Sequence, residues 1–376
     1  MKIELVDLKG QYDRIAQEIE QGIKDVMQTT HFIKGPYGKK LEHELAHFLG
    51  SKNVVNCANG TDALQIALMA LDLKEGAEII TPAFTYAATV EVAKLLNFKP
   101  VYVDVQPDTF CVDPSKIEAA ITDKTKAIIP VHLFGQSADM ESIMNIALQH
   151  NLAVIEDNAQ AIGADYTFSG GTVKKTGTIG TIGTTSFFPT KNLGCYGDGG
   201  ALFCNDDLLT EKLRMIANHG QSSLYNFEMI GVNSRLDEMQ AVVLLAKLKN
   251  LNDYTDRRQW AASKYDALLK NSQIVSIPFV ATNTSHVYHQ YTLKVKEGID
   301  RATLKEFLNS KGIPTKVYYP IPMHTSKAYL DTQFPKGSMP VSEALSETVF
   351  SLPMHTELTI EVIEYVAACI NQFENQ

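Results

Sequence analysis

Five short apolar runs recur along the first half of the chain: "NVVNC" from Asn53, "EIITP" from Glu78, "PVYVDV" from Pro100, "KAIIPV" from Lys126 and "LAVIED" from Leu152. Their starts lie roughly 25 residues apart, which is room for a strand, a helix and two short loops. Helical patterns such as "ALQIALMALDL" and "ATVEVAKLL" fill the gaps. The runs show no polar alternation, as expected of strands covered on both faces, and that is the habit of parallel sheets. Residues from about 50 to 250 therefore read as a wound α/β unit whose helices cross over between neighbouring strands.

The rest of the chain has a different texture. After Ala241 a long helical stretch leads out of that unit. "SHVYHQYTLKV" alternates like a half-exposed strand, and "DRATLKEFLNSKG" reads as a helix with a Gly stop. With 376 residues the chain exceeds what one core usually holds, so two domains are expected, 1–250 and a smaller α+β domain over 251–376. The N-terminal "QYDRIAQEIEQGIKDVMQ" is an amphipathic helix able to pack with either.

Charge and composition exclude several functions. The net charge of −9 carries no basic run, which argues against nucleic-acid binding. "MKIELVDLKG" places charges where a signal peptide needs an apolar core. No apolar run approaches the roughly 20 residues of a membrane helix. Five scattered cysteines without a C-x-x-C fit a reduced cytoplasm and give no zinc site, and no metal is expected.

In open α/β sheets ligands sit beyond the carboxyl ends of the strands, and four segments fall there. "CANGTDALQ" runs from a strand into a helix start, where free N–H groups beside Gly60 make an anion site. The plainer alternative is capping by Asp62 with Gln65 three residues on. "TPAFTYAAT" carries Phe84 and Tyr86 on a strand-to-helix loop, and a flat cofactor could stack on either ring. Ordinary core packing is the preferred reading of that segment taken alone. "VIEDNAQAIGA" ends an apolar strand on two carboxylates, at least one of which needs a cation or donors. Asp157 could face a protonated ring nitrogen, with Gln160 as a nearby donor, or could simply cap the next helix. The fourth segment, "SFFPTKNLGCYGDGGALF", sets Lys191 among aromatic and glycine residues. Desolvation lowers a lysine's proton affinity and frees the amine as a nucleophile toward a carbonyl. The P-loop spacing is absent, and a snorkelling lysine is the plain alternative.

An anion site, a stacking ring, an acid for a ring nitrogen and a nucleophilic lysine form the set that binds pyridoxal 5'-phosphate (PLP). The chain resembles the DegT/StrS-type nucleotide-sugar aminotransferases, a branch of the fold-type I PLP enzymes. The resemblance runs nearly end to end through "FIKGP", "NGTDAL", "PAFTYAAT", "AIIPVHLFGQ", "EDNAQAIGA", "SFFPTKNLGCYGDGGA", "GVNSRLDEMQA", "YYPIPMH" and "SLPMH". It implies a large domain with a mostly parallel mixed sheet and a smaller C-terminal α+β domain. Lys191 matches the lysine that joins the cofactor as a Schiff base and later moves the proton. Asp157 matches the acid at the pyridinium nitrogen, Gln160 the residue near the phenolic oxygen, and Phe84 the stacked ring. Gly60, Thr61 and Ser186 match phosphate contacts. Asn233 matches an asparagine that reaches the phosphate from the other subunit, so the resemblance implies a homodimer with shared sites.

The resemblance also implies L-glutamate as amino donor, leaving as 2-oxoglutarate, and a keto group on a nucleotide-linked sugar as acceptor. The wording is most similar to the branch acting on UDP-2-acetamido-2-deoxy-3-oxo-glucuronate in surface-polysaccharide synthesis. A 4-keto-6-deoxy or 3-keto-6-deoxy nucleotide sugar is the alternative. Arg235 is a candidate for gripping the substrate carboxylate, or else pairs with Asp237 or Glu238. Tyr318, Tyr319 and His324 are candidate substrate contacts. Tyr37 after "GP", and Tyr318 where a histidine is more usual, depart from the family pattern. Family members with histidine in place of the lysine dehydrate sugars; here the lysine is kept. A non-catalytic PLP-binding regulator would need a DNA-reading domain, and no basic helix-turn-helix stands out. The Gly/Thr-rich segment Thr167–Gly180 reads as a connection near the cofactor without an assigned role.

Overall fold

The computed structural model describes residues 2–373. Two helices open the chain, α1 (Leu8–Thr29) and α2 (Pro36–Leu49), before β1 (Asn53–Cys57) and α3 (Gly60–Ala70). Then come β2 (Glu78–Pro82), α4 (Ala88–Leu95), β3 (Lys99–Val103), α5 (Pro114–Ala120), β4 (Thr125–Ile128), α6 (Met140–His150) and β5 (Ala153–Asp157). All five apolar runs are strands. A small hairpin, β6 (Asp165–Thr167) with β7 (Val173–Lys175), precedes β8 (Ile182–Ser186) and β9 (Gly200–Cys204).

Seven of these strands form one sheet in the order β1-β9-β8-β5-β4-β2-β3. Its pairings are parallel except for those of β9, which runs against both β1 and β8. The uniform apolarity of the runs has a direct cause. Ile80, Ile128 and Val154 pack into one core, whereas Ile79, Ile129 and Ile155 pack into another on the opposite face. Burying one such side chain contributes roughly 1.5–3 kcal/mol, so both faces need apolar residues.

The chain continues through α7 (Asp207–Ile216) and a second hairpin, β10 (Gln221–Ser223) with β11 (Asn226–Phe227). The long helical stretch after Ala241 is two helices, α8 (Glu238–Leu248) and α9 (Leu251–Leu269), broken at Lys249–Asn250. A separate three-stranded antiparallel sheet follows from β12 (Val275–Ser276), β13 (Tyr291–Val295) and β14 (Val349–Leu352). It carries its own core, including Tyr265, Leu293, Phe350 and Ile363, and is flanked by α10 (Arg301–Ser310), α11 (Pro340–Thr348) and α12 (Ile360–Asn371). Asp300 caps α10 by accepting from the Thr303 N–H at 2.6 Å, and Gly312 follows it at φ +74°. The half-exposed strand expected over Ser285–Val295 is only half a strand. Residues 286–290 are buried loop, because this segment threads between the two sheets toward the cavity described below.

The first helix joins both parts. Ile19 of α1 packs on Val243 and Ala246 of α8, while Arg14 pairs with Glu357 near the end of the chain. α2 is held from a distance: Glu238 at the start of α8 accepts from the N–H groups of Gly35, Tyr37 and Gly38 at 3.0, 2.8 and 2.9 Å. Those are helix-start donors with no partner inside their own helix.

Candidate active site

A cavity of about 540 Å³ opens where β1, β2, β4, β5 and β8 end. Five of the six parallel strands, all but the edge strand β3, deliver residues there: Asn59 and Gly60 after β1, Thr85 and Tyr86 after β2, Val131 and Phe134 after β4, Asp157 and Gln160 at the end of β5, Ser186 and Lys191 at the end of β8. His289, Gln290, Tyr318 and Tyr319 close it from the other side.

The anion corner is built by close approach. A Cβ on Gly60 would lie 2.6 Å from the Ser186 Cβ, so only glycine lets the start of α3 meet the end of β8. Asn59, not Asp62, is the N-cap of α3; its side chain accepts from the Asp62 N–H at 2.8 Å. The helix begins three residues earlier than the sequence pattern implies, because the turn after Cys57 is complete by Asn59. This leaves the N–H groups of Gly60 and Thr61 without hydrogen-bond partners among the described residues, beside the Ser186 hydroxyl.

Asp157 is buried and oriented. Its Oδ2 accepts from the Thr89 hydroxyl at 2.8 Å and its Oδ1 from the Ala159 N–H at 3.2 Å. Gln160 is held at both ends, accepting from the Phe134 N–H at 2.8 Å and donating to the Tyr319 hydroxyl at 2.9 Å.

Lys191 stands on a tight turn in which its N–H donates to the Phe188 carbonyl at 2.8 Å. Its amine has no hydrogen-bond partner among the described residues. Burial lowers its pKa from 10.5 to about 8, and the negative charge of Asp157 opposes part of that shift. His289 stays neutral: its pKa falls well below the ordinary value through burial first, then through the charges of Lys191 and Arg258.

Several expected contacts are elsewhere. Phe84 is 1% exposed and packs edge-on against Phe134 and Tyr319, so it offers no face to a cofactor. Tyr86, 61% exposed, is the ring of that loop that lines the cavity. His324 is fully buried away from the cavity, with Nε2 on Glu343 at 2.9 Å and its ring 6.4 Å from Tyr102. It therefore cannot touch a substrate as expected; Tyr318 and Tyr319 do line the cavity. Asn233 is exposed outside the cavity, in an isolated bridge with Asn218. Arg235 lines a different crevice with Lys34, Glu42 and Arg214. It pairs with neither Asp237 nor Glu238, since Glu238 is committed to α2.

Sequence reasoning missed His289 and Gln290. The signal was present, two adjacent polar residues inside an apolar run, but it was absorbed into the alternation of a strand.

The sequence profile of the DegT/DnrJ/EryC1/StrS aminotransferase family matches residues 13–371. The chain is 46% identical to the UDP-2-acetamido-2-deoxy-3-oxo-D-glucuronate aminotransferase of Pseudomonas aeruginosa, over 98% of this chain and 99% of the relative. It is 44% identical to a protein of Geobacillus stearothermophilus described as a pleiotropic regulatory protein, over 99% of both. Among solved structures it resembles NtdA from Bacillus subtilis with bound cofactor PMP, at TM-score 0.88 and 34% identity, over 99% of this chain and 86% of that one.

Proposed function

Because the chain belongs to the DegT/DnrJ/EryC1/StrS aminotransferase family, we propose that it moves the amino group of L-glutamate to the keto group of a nucleotide-linked sugar, with UDP-2-acetamido-2-deoxy-3-oxo-glucuronate as the acceptor. The observation that carries the reading is Lys191: a lysine with a pKa of about 8, whose amine has no hydrogen-bond partner among the described residues, in a cavity that also holds a buried carboxylate and an anion corner.

The cofactor is pyridoxal 5'-phosphate, and the residues present fit it. The unpaired N–H groups of Gly60 and Thr61 and the Ser186 hydroxyl suit a phosphate at the start of α3. Asp157, fixed by Thr89 and Ala159, suits a protonated ring nitrogen. Tyr86 supplies an open ring face. When bound, the cofactor supplies an electron sink for the carbon that loses and regains a proton. Lys191 provides the base and acid for that proton at Nζ, since a pKa of about 8 lets the amine exist in both states near neutral pH. Asp157 holds negative charge where the sink needs it.

The proposal includes a second copy of the chain. Arg235 has no ion-pair partner among the described residues, so its guanidinium remains free to take a carboxylate from the partner's cavity. Asn233 stands on the same segment. Nearby, Leu224, Tyr225 and Ile230 are 79%, 79% and 85% exposed, an apolar surface suited to a homodimer contact. Residues 1–250 hold the cofactor in this reading, and 251–376 form the smaller domain that closes the cavity. Among the described residues no helix is long and apolar enough to cross a membrane. A cytoplasmic location accords with five free, buried cysteines.

The test is a coupled assay. Protein loaded with PLP is given glutamate and a panel of keto-sugar nucleotides, and 2-oxoglutarate is measured. Turnover with the 3-oxo-glucuronate compound supports the proposal. Turnover confined to 6-deoxy keto sugars overturns the substrate, and a Lys191→Ala protein that still turns over overturns the mechanism.

A further inference from the structure

The mechanism above leaves one buried carboxylate unused. Glu156 precedes Asp157 on β5, so the pleat turns the two side chains to opposite faces of the sheet. Four N–H groups converge on it. Gly177 N and His132 Nε2 meet Oε2 at 2.8 and 2.9 Å, and Ile179 N and Gly180 N meet Oε1 at 2.7 and 2.6 Å. The ring of His132 is oriented as well: its Nδ1 accepts from the Ala138 N–H at 3.1 Å, which leaves the ring hydrogen on Nε2, toward Glu156. None of these groups lines the cavity.

We propose that Glu156 and His132 are positioning residues for the cofactor site, clamping the Gly/Thr-rich segment and the turn after β4 onto the back of β5 so that Asp157 and Gln160 hold their places. The proposal rests on the aminotransferase reading and extends it. The connections are short. The Asp157 N–H donates to the Pro130 carbonyl at 2.9 Å, and the His132 N–H donates to the Asp157 carbonyl at 3.1 Å. Two residues beyond His132, Phe134 gives its N–H to Gln160. Phe134 has φ +59°, a left-handed conformation uncommon outside glycine, which persists only where the surroundings over-determine it. His132 provides part of that constraint through Ala138. On the other side, Gly177 at φ +84° starts a bend that turns the N–H groups of Gly177, Ile179 and Gly180 onto the carboxylate, while the Thr178 N–H between them donates to the Lys175 carbonyl at 3.2 Å. The Asn158 side chain, directly after Asp157, donates to the Thr176 carbonyl at 3.0 Å and ties the same bend to the end of β5. The segment Thr167–Gly180 thereby acquires a role: its last residues are the grip on Glu156.

Replacing Glu156 by Gln puts an amide donor where an N–H already points. The experiment titrates each apoprotein with PLP and follows the absorption band of the bound cofactor against pH, with thermal melts to confirm folding. Wild-type protein that does not bind PLP overturns the aminotransferase reading, whatever Glu156 does. For Glu156→Gln the expected result is a cooperative melt, PLP affinity weakened by about tenfold or more, and a displaced pH midpoint of the band. His132→Gln, which keeps an amide donor toward Glu156, retains more affinity than His132→Phe. Val173→Ala, at the exposed start of β7 within the segment, leaves both readouts unchanged. A folded Glu156→Gln protein with wild-type affinity and midpoint overturns the proposal. Where Glu156→Gln does not fold, the histidine pair decides: both variants matching wild type overturns it, and the graded order supports it.

Discussion

Two lysines in this chain have their pKa lowered to about 8 by burial, and only one of them is suited to chemistry. Lys247 donates to the Gly194 carbonyl at 2.7 Å and lies 4.4 Å over the ring of Tyr196, so its amine is engaged outside the cavity. The Lys191 amine has the same shift without a partner among the described residues, and its unmet polarity is the available resource. The sign of the consequence follows from linkage. The unfolded chain holds its lysine proton up to about pH 10.5, whereas the folded chain releases it near 8, so stability rises with pH between those values. Lys191→Met should therefore stabilise the apoprotein at pH 7 by about 2 kcal/mol, with the gain shrinking as pH climbs past 8, as measured by urea unfolding at several pH values. Activity of Lys191→Ala should fall by about 10³-fold or more in the coupled assay. The two aromatic residues of "PAFTYAAT" should separate in the same way. Phe84→Ala should cost about 3–5 kcal/mol of stability through a core cavity. Tyr86→Ala should leave the melting curve nearly unchanged and weaken PLP binding in a direct titration. Lys191, Asp157 and Gly60 were legible in the sequence because each is chemically odd for its position. Which of Phe84 and Tyr86 reaches the cavity was not legible, since two rings on one loop differ only in the path of that loop. His324 was misplaced because its partner, Glu343, arrives from α11, and nothing local announces it.

At the level of elements, the strands that read clearly were those made of branched apolar residues. β8 and β9 did not stand out, because "IGTTS" and "GALFC" carry glycine and small residues where close approach matters more than bulk. The break between α8 and α9 was equally hidden: Lys249 and Asn250 include no glycine or proline, and the interruption comes from the tertiary path. The connection between α8 and α2 is also beyond local reading, since Glu238 lies about 200 residues from the three N–H groups it receives. It carries a clear prediction. Glu238→Gln presents a donor to at least one of those N–H groups and removes the charge, and should cost about 2–4 kcal/mol by denaturant titration. The loss should appear without any change in the pKa of Lys191, since Glu238 is no part of that cavity's lining.

For the whole molecule, the separation of Asn233 and Arg235 from the Lys191 cavity of their own chain makes the proposed shared site testable. Lys191→Ala and Asn233→Ala proteins should each be nearly inactive. Mixed, dissociated and reassembled in equal amounts, they should recover about a quarter of wild-type activity, because one site in each mixed dimer regains both residues. No recovery would place Asn233 outside the partner's site. A different consequence follows from the order of the sheet. β1 is the first strand to leave the ribosome, and its sheet partner is β9, with Asn53 opposite Cys204 and Cys57 opposite Gly200. Every strand made in between can pair at once with one already present or soon to come, but β1 cannot. At ordinary rates of synthesis that is a delay of the order of ten seconds, during which Val54 and Val55 belong to an unpaired edge. β9, which joins β1 to β8, is thus also the closing step of the nascent sheet, and the cavity between the ends of those strands exists only once the chain has been made past Cys204 and folded back on its own beginning.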